Sequence, residues 1–329
     1  MEQFKHTTIY VLLLATLLLV AVDCQAALYQ SRRGGGHVDV AFQYLLSDFS
    51  GPVSTQWARV VCEPTHQETY TLNQSGNEVR IYNHQGMEIY AFGADGGIVS
   101  ALDVATDSDG TIYLLARDFS HYGVQVHDYS GQLKGEIVIQ DPSPLLAEFR
   151  PDRLEIGAGN LYLLDSGRCK LAVIDTRGRL LRAFDLTAQI APEREREGEK
   201  TAIYDISGFS VAGDGNIYLT VPTLFSAYRL NSEGRLEAFG TSGSGPGKFG
   251  VVSGITADAA GHIYVADRLR SVVLIFDRDF KFLGEFGYRG GRPEDMLVPD
   301  DLAYDPQQQH LFVSQAANKG VGVYKITIP

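Results

Sequence analysis

The stretch GITADAAGHIYVADRLRSVVLIFDRDFKFLGEFG, residues 254–287, decides the fold. Ile255 to Ala257 is a short extended run. Asp258-Ala-Ala-Gly261 is a turn that Asp opens and Gly closes. His262–Ala266, Ser271–Phe276 and Phe280–Phe286 read as three further strands, rich in β-branched and aromatic residues and bounded by turn residues. No apolar stripe of helical period runs through it. One such sheet cannot cover both of its apolar faces, so it requires neighbours of its own kind.

The neighbours are present. The second strand with its preceding turn recurs as Asp109-Gly-Thr-Ile-Tyr-Leu114, Gly159-Asn-Leu-Tyr-Leu163, Asp214-Gly-Asn-Ile-Tyr-Leu219 and Gln309-His-Leu-Phe-Val313. His66-Gln-Glu-Thr-Tyr-Thr71 is a degraded first copy. The marker aromatics Tyr70, Tyr113, Tyr162, Tyr218, Tyr264 and Phe312 lie 43 to 56 residues apart. The third and fourth strands recur as well, joined by Asp/Asn-x-x-Gly turns, as in Val79–Gly93 and Leu171–Phe184. A period in the forties with four strands per unit predicts an all-β, six-bladed β-propeller of four-stranded antiparallel blades. Blades are expected near 56–93, 100–138, 150–185, 206–240, 252–287 and 300–328. The last lacks a fourth strand, and the extended run 38–46 is expected to supply it and close the ring, removing free edges.

The repeats resemble the NHL repeat: an inner strand ending Ala-x-Asp, then Gly-x-Ile-Tyr-Val-Ala-Asp, a strand ending Phe-Asp, and a Phe-Gly close. The resemblance covers roughly residues 38–329. The fifth unit matches best and the first poorly, and the sixth carries Pro306-Gln-Gln-Gln in place of the Gly turn.

The remaining segments set the context. Residues 1–26 read as a signal peptide: Lys5 and His6, then the apolar run Ile9–Val22, then Cys24-Gln-Ala26 before the cleavage point. An uncleaved anchor and acylation of Cys24 are the alternatives, and Asp23 disfavours the second. Residues 27–37 are expected to be a flexible lead-in. The expected location is therefore periplasmic or extracellular, with no membrane span after cleavage. Cys62 and Cys169 fall in non-adjacent blades and are expected to stay unpaired. A net charge of −12 argues against nucleic acid or anionic membrane as a partner. The mixed-charge run Glu193–Lys200 reads as a solvated loop, with a docking element as the alternative.

Propellers expose function where the inner strands begin and second strands end. Those positions hold Trp57, Arg117, Arg150, Arg168, Tyr204, Asp205, Phe225, Arg268, Arg270 and Asp300, a mixed surface suited to recognition. Asp165 and Asp267, at the end of second strands, read as caps for loop N–H groups. The expected function is a non-catalytic binding or scaffold module of the cell envelope that recognises an exported protein through one face. Some bacterial NHL propellers sit in envelope electron-transfer systems, so the resemblance suggests a multihaem redox protein as partner.

An enzyme is the alternative: a metal-dependent hydrolase or lyase with its site in the axial channel. Related amidating lyases hold zinc with histidines, but the histidines here show no shared ligand spacing and read as surface or turn residues. Lactonase-like propellers hold calcium with axial oxygens, for which Asp103, Glu155, Asp205, Asp300 and Asp301 are weak candidates. No cofactor is called for, and calcium and zinc stay open.

Overall fold

The structure, a computed structural model, describes residues 28–30, 38–55, 57–93, 97–98, 100–117, 122–190 and 204–329. The signal-like segment, Cys24 and the charged run 193–200 lie outside them. Among the described residues no helix is long and apolar enough to cross a membrane.

The chain forms a six-bladed propeller. Blade one comprises the strands Arg59–Glu63, Glu68–Asn73, Glu78–Tyr82 and Glu88–Phe92, running from the axis outward. Blade two begins at Ala101–Thr106, blade three at Arg153–Gly157, blade four at Gly208–Val211 and blade five at Val252–Ala257. Blade six has inner strand Pro299–Asp305, then His310–Gln315 and Gly320–Thr327. Asp39–Leu45 pairs antiparallel with Gly320–Thr327, so this sheet draws a fourth strand from the N-terminal side. Leu28–Gln30, within the expected lead-in, adds a short fifth strand against Asp39–Ala41.

Each repeated residue has a mechanical task. The marker tyrosines Tyr70, Tyr113, Tyr218 and Tyr264 are buried, Tyr162 is half-buried, and a hydroxyl so placed needs a partner. In blades two and five the partner is the aspartate six residues upstream: Tyr113 donates to Asp107 at 2.9 Å, and Tyr264 to Asp258 at 3.0 Å. The other oxygen of each aspartate accepts two N–H groups of its own turn, from Asp109 and Thr111 and from Ala260 and His262. The hairpins to the outer strands repeat this device with Asn83, Asp128, Asp175, Asn231 and Asp277. A short acceptor there satisfies donors that the turn would otherwise strand.

The core lies in the seams between blades. One cluster joins Tyr218 and Ala227 of blade four to Ile255, Val265 and Leu274 of blade five. Another joins blades five and six, with Val38 and Val40 from the N-terminal side. Both described cysteines are free, as expected. Cys169 is buried, and burial pushes its thiol pKa up to about 12. Two of the histidines expected on the surface or hydrogen-bonded in turns are buried. His127 is fully buried, with Nδ1 on the Gly131 carbonyl at 3.0 Å, and His310 is buried between blade strands. A ring at the end of a strand packs as readily as it is solvated, and sequence cannot separate the two.

Candidate functional site

The inner strands bring a cluster of charges to the axis. Arg59 and Arg153 are the first residues of the inner strands of blades one and three. Asp103, Glu155 and Asp301 come from blades two, three and six. Two of these carboxylates fasten neighbouring blades. Asp103 accepts the Leu154 N–H at 2.9 Å, and Asp301 accepts the Val60 N–H at 3.0 Å. Arg153 donates to the Asp152 carbonyl at 3.1 Å, with the Asp152 carboxylate at 3.5 Å. Asp103 and Arg59 are buried, whereas Arg153, Glu155 and Asp301 are half-buried.

The shifts in ionisation follow from crowding. Burial raises the Asp103 pKa to about 6, against the pull of Arg59 and Arg153. Burial also raises Asp301, and it raises Glu155 strongly, with Asp103 and Asp301 adding repulsion. Burial lowers the Arg59 pKa, but Asp301, Asp103, Asp300 and Asp152 more than offset this. The Arg153 pKa falls through burial and then through repulsion from Arg59.

This is a poor donor set for a divalent cation. Two guanidiniums stand among the carboxylates, and Asp103 and Asp301 already spend oxygens on backbone donors. Among the described residues, no three His, Cys, Asp or Glu side chains converge closely enough to hold a metal. Of the weak metal candidates, Glu155 and Asp301 share the axial cluster. Asp300 turns instead to Arg268, and Asp205 is an exposed residue leading into blade four.

Three candidates for recognition meet on one face. The Arg268 guanidinium lies 5.2 Å from the Trp57 ring centre. Asp300, itself buried, accepts from Arg268 Nε at 2.9 Å and from a terminal nitrogen of the same side chain. These residues come from the approach to blade one, the end of the second strand of blade five and the inner strand of blade six. Trp57 has φ of 55° and leaves 42% of its surface exposed. A planar cation stacked on an indole and fixed by a carboxylate is a rigid, amphipathic surface.

The other candidates are dispersed. Phe225 is exposed, in a left-handed conformation after the second strand of blade four. Arg270 is committed to the scaffold, with Glu285 at 2.6 Å and the Lys248 carbonyl at 2.8 Å. Arg168 lies 3.6 Å from Asp165 and 4.0 Å from Glu148. Arg150 is exposed, and its N–H donates to Asp165 at 2.7 Å. Arg117 is 6.0 Å from the Tyr122 ring centre. Tyr204 is not on the surface: it is buried among Leu186, Ile190 and Ile206 in the seam before blade four. Asp165 and Asp267 accept loop N–H groups, from Arg150 and Arg168 and from Gly250, Val251 and Arg270. Arg153 is the axial residue that sequence reasoning passed over. Its one signal is its place at the head of an inner strand, shared with Arg59.

Comparison with known proteins agrees with this architecture. The chain is a six-bladed β-propeller built from repeats that resemble NHL repeats. A human protein, NHL repeat-containing protein 3, is 28% identical over 107 residues, 32% of this chain and 28% of its own length. No family profile matches the chain. Among solved structures, a protein of unknown function from Bacteroides thetaiotaomicron superposes with a TM-score of 0.63 at 14% identity, over 88% of this chain and 76% of its own. A gluconolactonase from Xanthomonas campestris gives 0.60 at 13%, over 92% and 96%. A calcium-binding protein, regucalcin, from Agrobacterium tumefaciens gives 0.57 at 16%, over 85% and 95%. At such identities the likeness is one of fold.

Proposed function

We propose that the protein is a binding or scaffold module that recognises another exported protein through the face carrying Trp57. The observation that carries this reading is the Trp57–Arg268–Asp300 constellation. Interface hot spots favour an exposed aromatic and an arginine held in place, because little freedom is lost when a partner covers them. The axial cluster supports the same reading, since two guanidiniums stand among its carboxylates and disfavour a metal there. The signal-like residues 1–26 support export, and an envelope redox protein is the partner that the family resemblance suggests.

The test is partner capture from the native envelope fraction. Trp57→Ala and Arg268→Ala are each expected to lose a protein that the wild type retains, weakening it by about thirtyfold or more. Tyr129→Ala, altering an exposed residue on a hairpin of the opposite face, is expected to keep it. A captured set indifferent to both Trp57→Ala and Arg268→Ala would sink the reading.

A further inference from the structure

Two blade seams are sealed by one residue at a fixed place. It stands just before the N–H that is captured by the residue ending a second strand. In blade five Asp267 captures the Gly250 N–H at 2.6 Å, and Phe249, just before it, is fully buried in the seam with blade four. In blade six Gln315 captures the Leu297 N–H at 2.8 Å, and Met296 before it is fully buried against blade five. In blade three Asp165 captures the Arg150 N–H at 2.7 Å, which puts Phe149 in the sealing position.

Phe149 does not seal. It is only partly buried, and beside it a cleft of about 410 Å³ opens between blades two and three. The cleft is walled by Val124, Ile137, Leu146 and Leu163, residues of the core of that seam. Tyr122 also lines it. Its mouth lies where second strands end and inner strands begin, on the same face as Trp57. Arg150 stands at the rim, exposed, and its guanidinium makes no ion pair with a described residue. Arg117 lies 6.0 Å from the ring centre of Tyr122. The carboxylate at the rim, Glu148, is 80% exposed and lies 4.0 Å from Arg168.

An apolar hollow of small-molecule size, with an arginine at its rim that makes no ion pair with a described residue, has a definite chemistry. We propose that this cleft binds a small amphipathic carboxylate. Its apolar body, of about ten carbons, occupies the space that Phe249 and Met296 fill in the two seams that flank blade five. Its carboxylate pairs with Arg150 through charge-assisted hydrogen bonds. This ligand site is separate from the Trp57 constellation, and either proposal can fail without the other.

The experiment is calorimetric titration of the full chain with decanoate, against decanol and decyltrimethylammonium as neutral and cationic controls. Decanoate is expected to bind saturably with one site, and each control about tenfold more weakly or worse. Arg150→Glu is expected to weaken decanoate by about tenfold or more while leaving decanol unchanged. Pro142→Trp, a filling substitution at an exposed residue of the cleft, is expected to abolish both. Both substitutions are at exposed positions, and matching thermal melts confirm that the variants are folded. No saturable decanoate binding overturns the proposal. So does binding that survives Arg150→Glu unchanged, which would mean an apolar hollow without selectivity for anions. Binding that survives Pro142→Trp places the ligand elsewhere and overturns it equally.

Discussion

The N–H of Val60, in the first blade, donates to the Asp301 carboxylate of the sixth across 3.0 Å. Asp301 is also the leading counter-charge to the buried Arg59 guanidinium, whose Nε has no hydrogen-bond partner among the described residues. One carboxylate therefore joins two blades and neutralises the axis. Asp301→Ala strands both an N–H and a charge, and is expected to cost about 3 kcal/mol. Asp301→Asn keeps an acceptor for Val60 and is expected to lose less. Urea midpoints at neutral pH decide it. An Asp301→Ala protein as stable as the wild type would remove this link from the account of ring stability.

The axial carboxylates also set a pH dependence of unusual sign. Burial holds the Asp103 pKa at about 6, above that of an unfolded aspartate. The folded state therefore binds the proton more tightly. The stability this adds is fully present below about pH 4 and is lost as pH rises through about 6. Glu155 and Asp301 are shifted the same way and reinforce it. Glu63 is shifted oppositely: burial raises its pKa, but N–H groups of His66 and Thr65 lower it further. Its contribution is present above about pH 4.5 and is lost as pH falls further, at the lower edge of this window. The melting temperature is expected to fall from about pH 4.5 to about pH 7, and Asp103→Asn is expected to flatten the decline. An unchanged slope in Asp103→Asn would assign it to other groups.

How far the sequence discloses this molecule depends on the kind of contact. The Tyr264–Asp258 bond is local, six residues apart, so the repeat carries it openly. The full length of blade five's inner strand is hidden, although the blade itself is placed from 252, because a bulge between Val252 and Ile255 breaks the alternation and leaves only Ile255–Ala257 readable as extended. Trp57, Arg268 and Asp300 are each readable as residues of one face. Their partnership is not, because it joins three blades through tertiary geometry. Tyr204 misleads for a related reason: an aromatic in a connection reads alike whether it seals a seam or faces a partner. Arg153 is overlooked because a charge at the head of a strand is ordinarily solvated, and only closure of the ring turns that position inward.

Close approach of the inner strands makes a third test. A Cβ on Gly254 would fall 2.6 Å from the Asp300 carbonyl oxygen and 2.8 Å from the Asp301 Cα. One on Gly208 would fall 2.1 Å from the Ser253 carbonyl oxygen. These obstacles are backbone and cannot rotate away. Gly254→Ala is expected to lose about 3 kcal/mol or to fail to fold. Gly213→Ala, with open space around its position, is expected to stay within about 0.5 kcal/mol of the wild type. Parallel thermal melts compare the two. Equal stability of both variants would show that the blades can part at the axis without cost.

The N-terminal strand provides the last test. Asp39–Leu45 covers the edge of Gly320–Thr327, and Val38 and Val40 are buried with Leu311, Tyr324 and Ile326. Phe42 meets the Tyr324 ring edge-on at 5.5 Å between centres. A chain lacking residues 1–45 would expose both a row of unpaired backbone groups and the apolar surface beneath. It is expected to melt about 10 °C lower or more, and to form oligomers by edge pairing. A peptide of residues 38–46 added in trans is expected to restore the monomer, which a general loss of folding would not permit. A truncated chain that stays monomeric with an unchanged melting temperature would mean that the six inner strands hold the ring without this clasp. The axial links of Asp301 and Asp103 would then be where its cohesion resides.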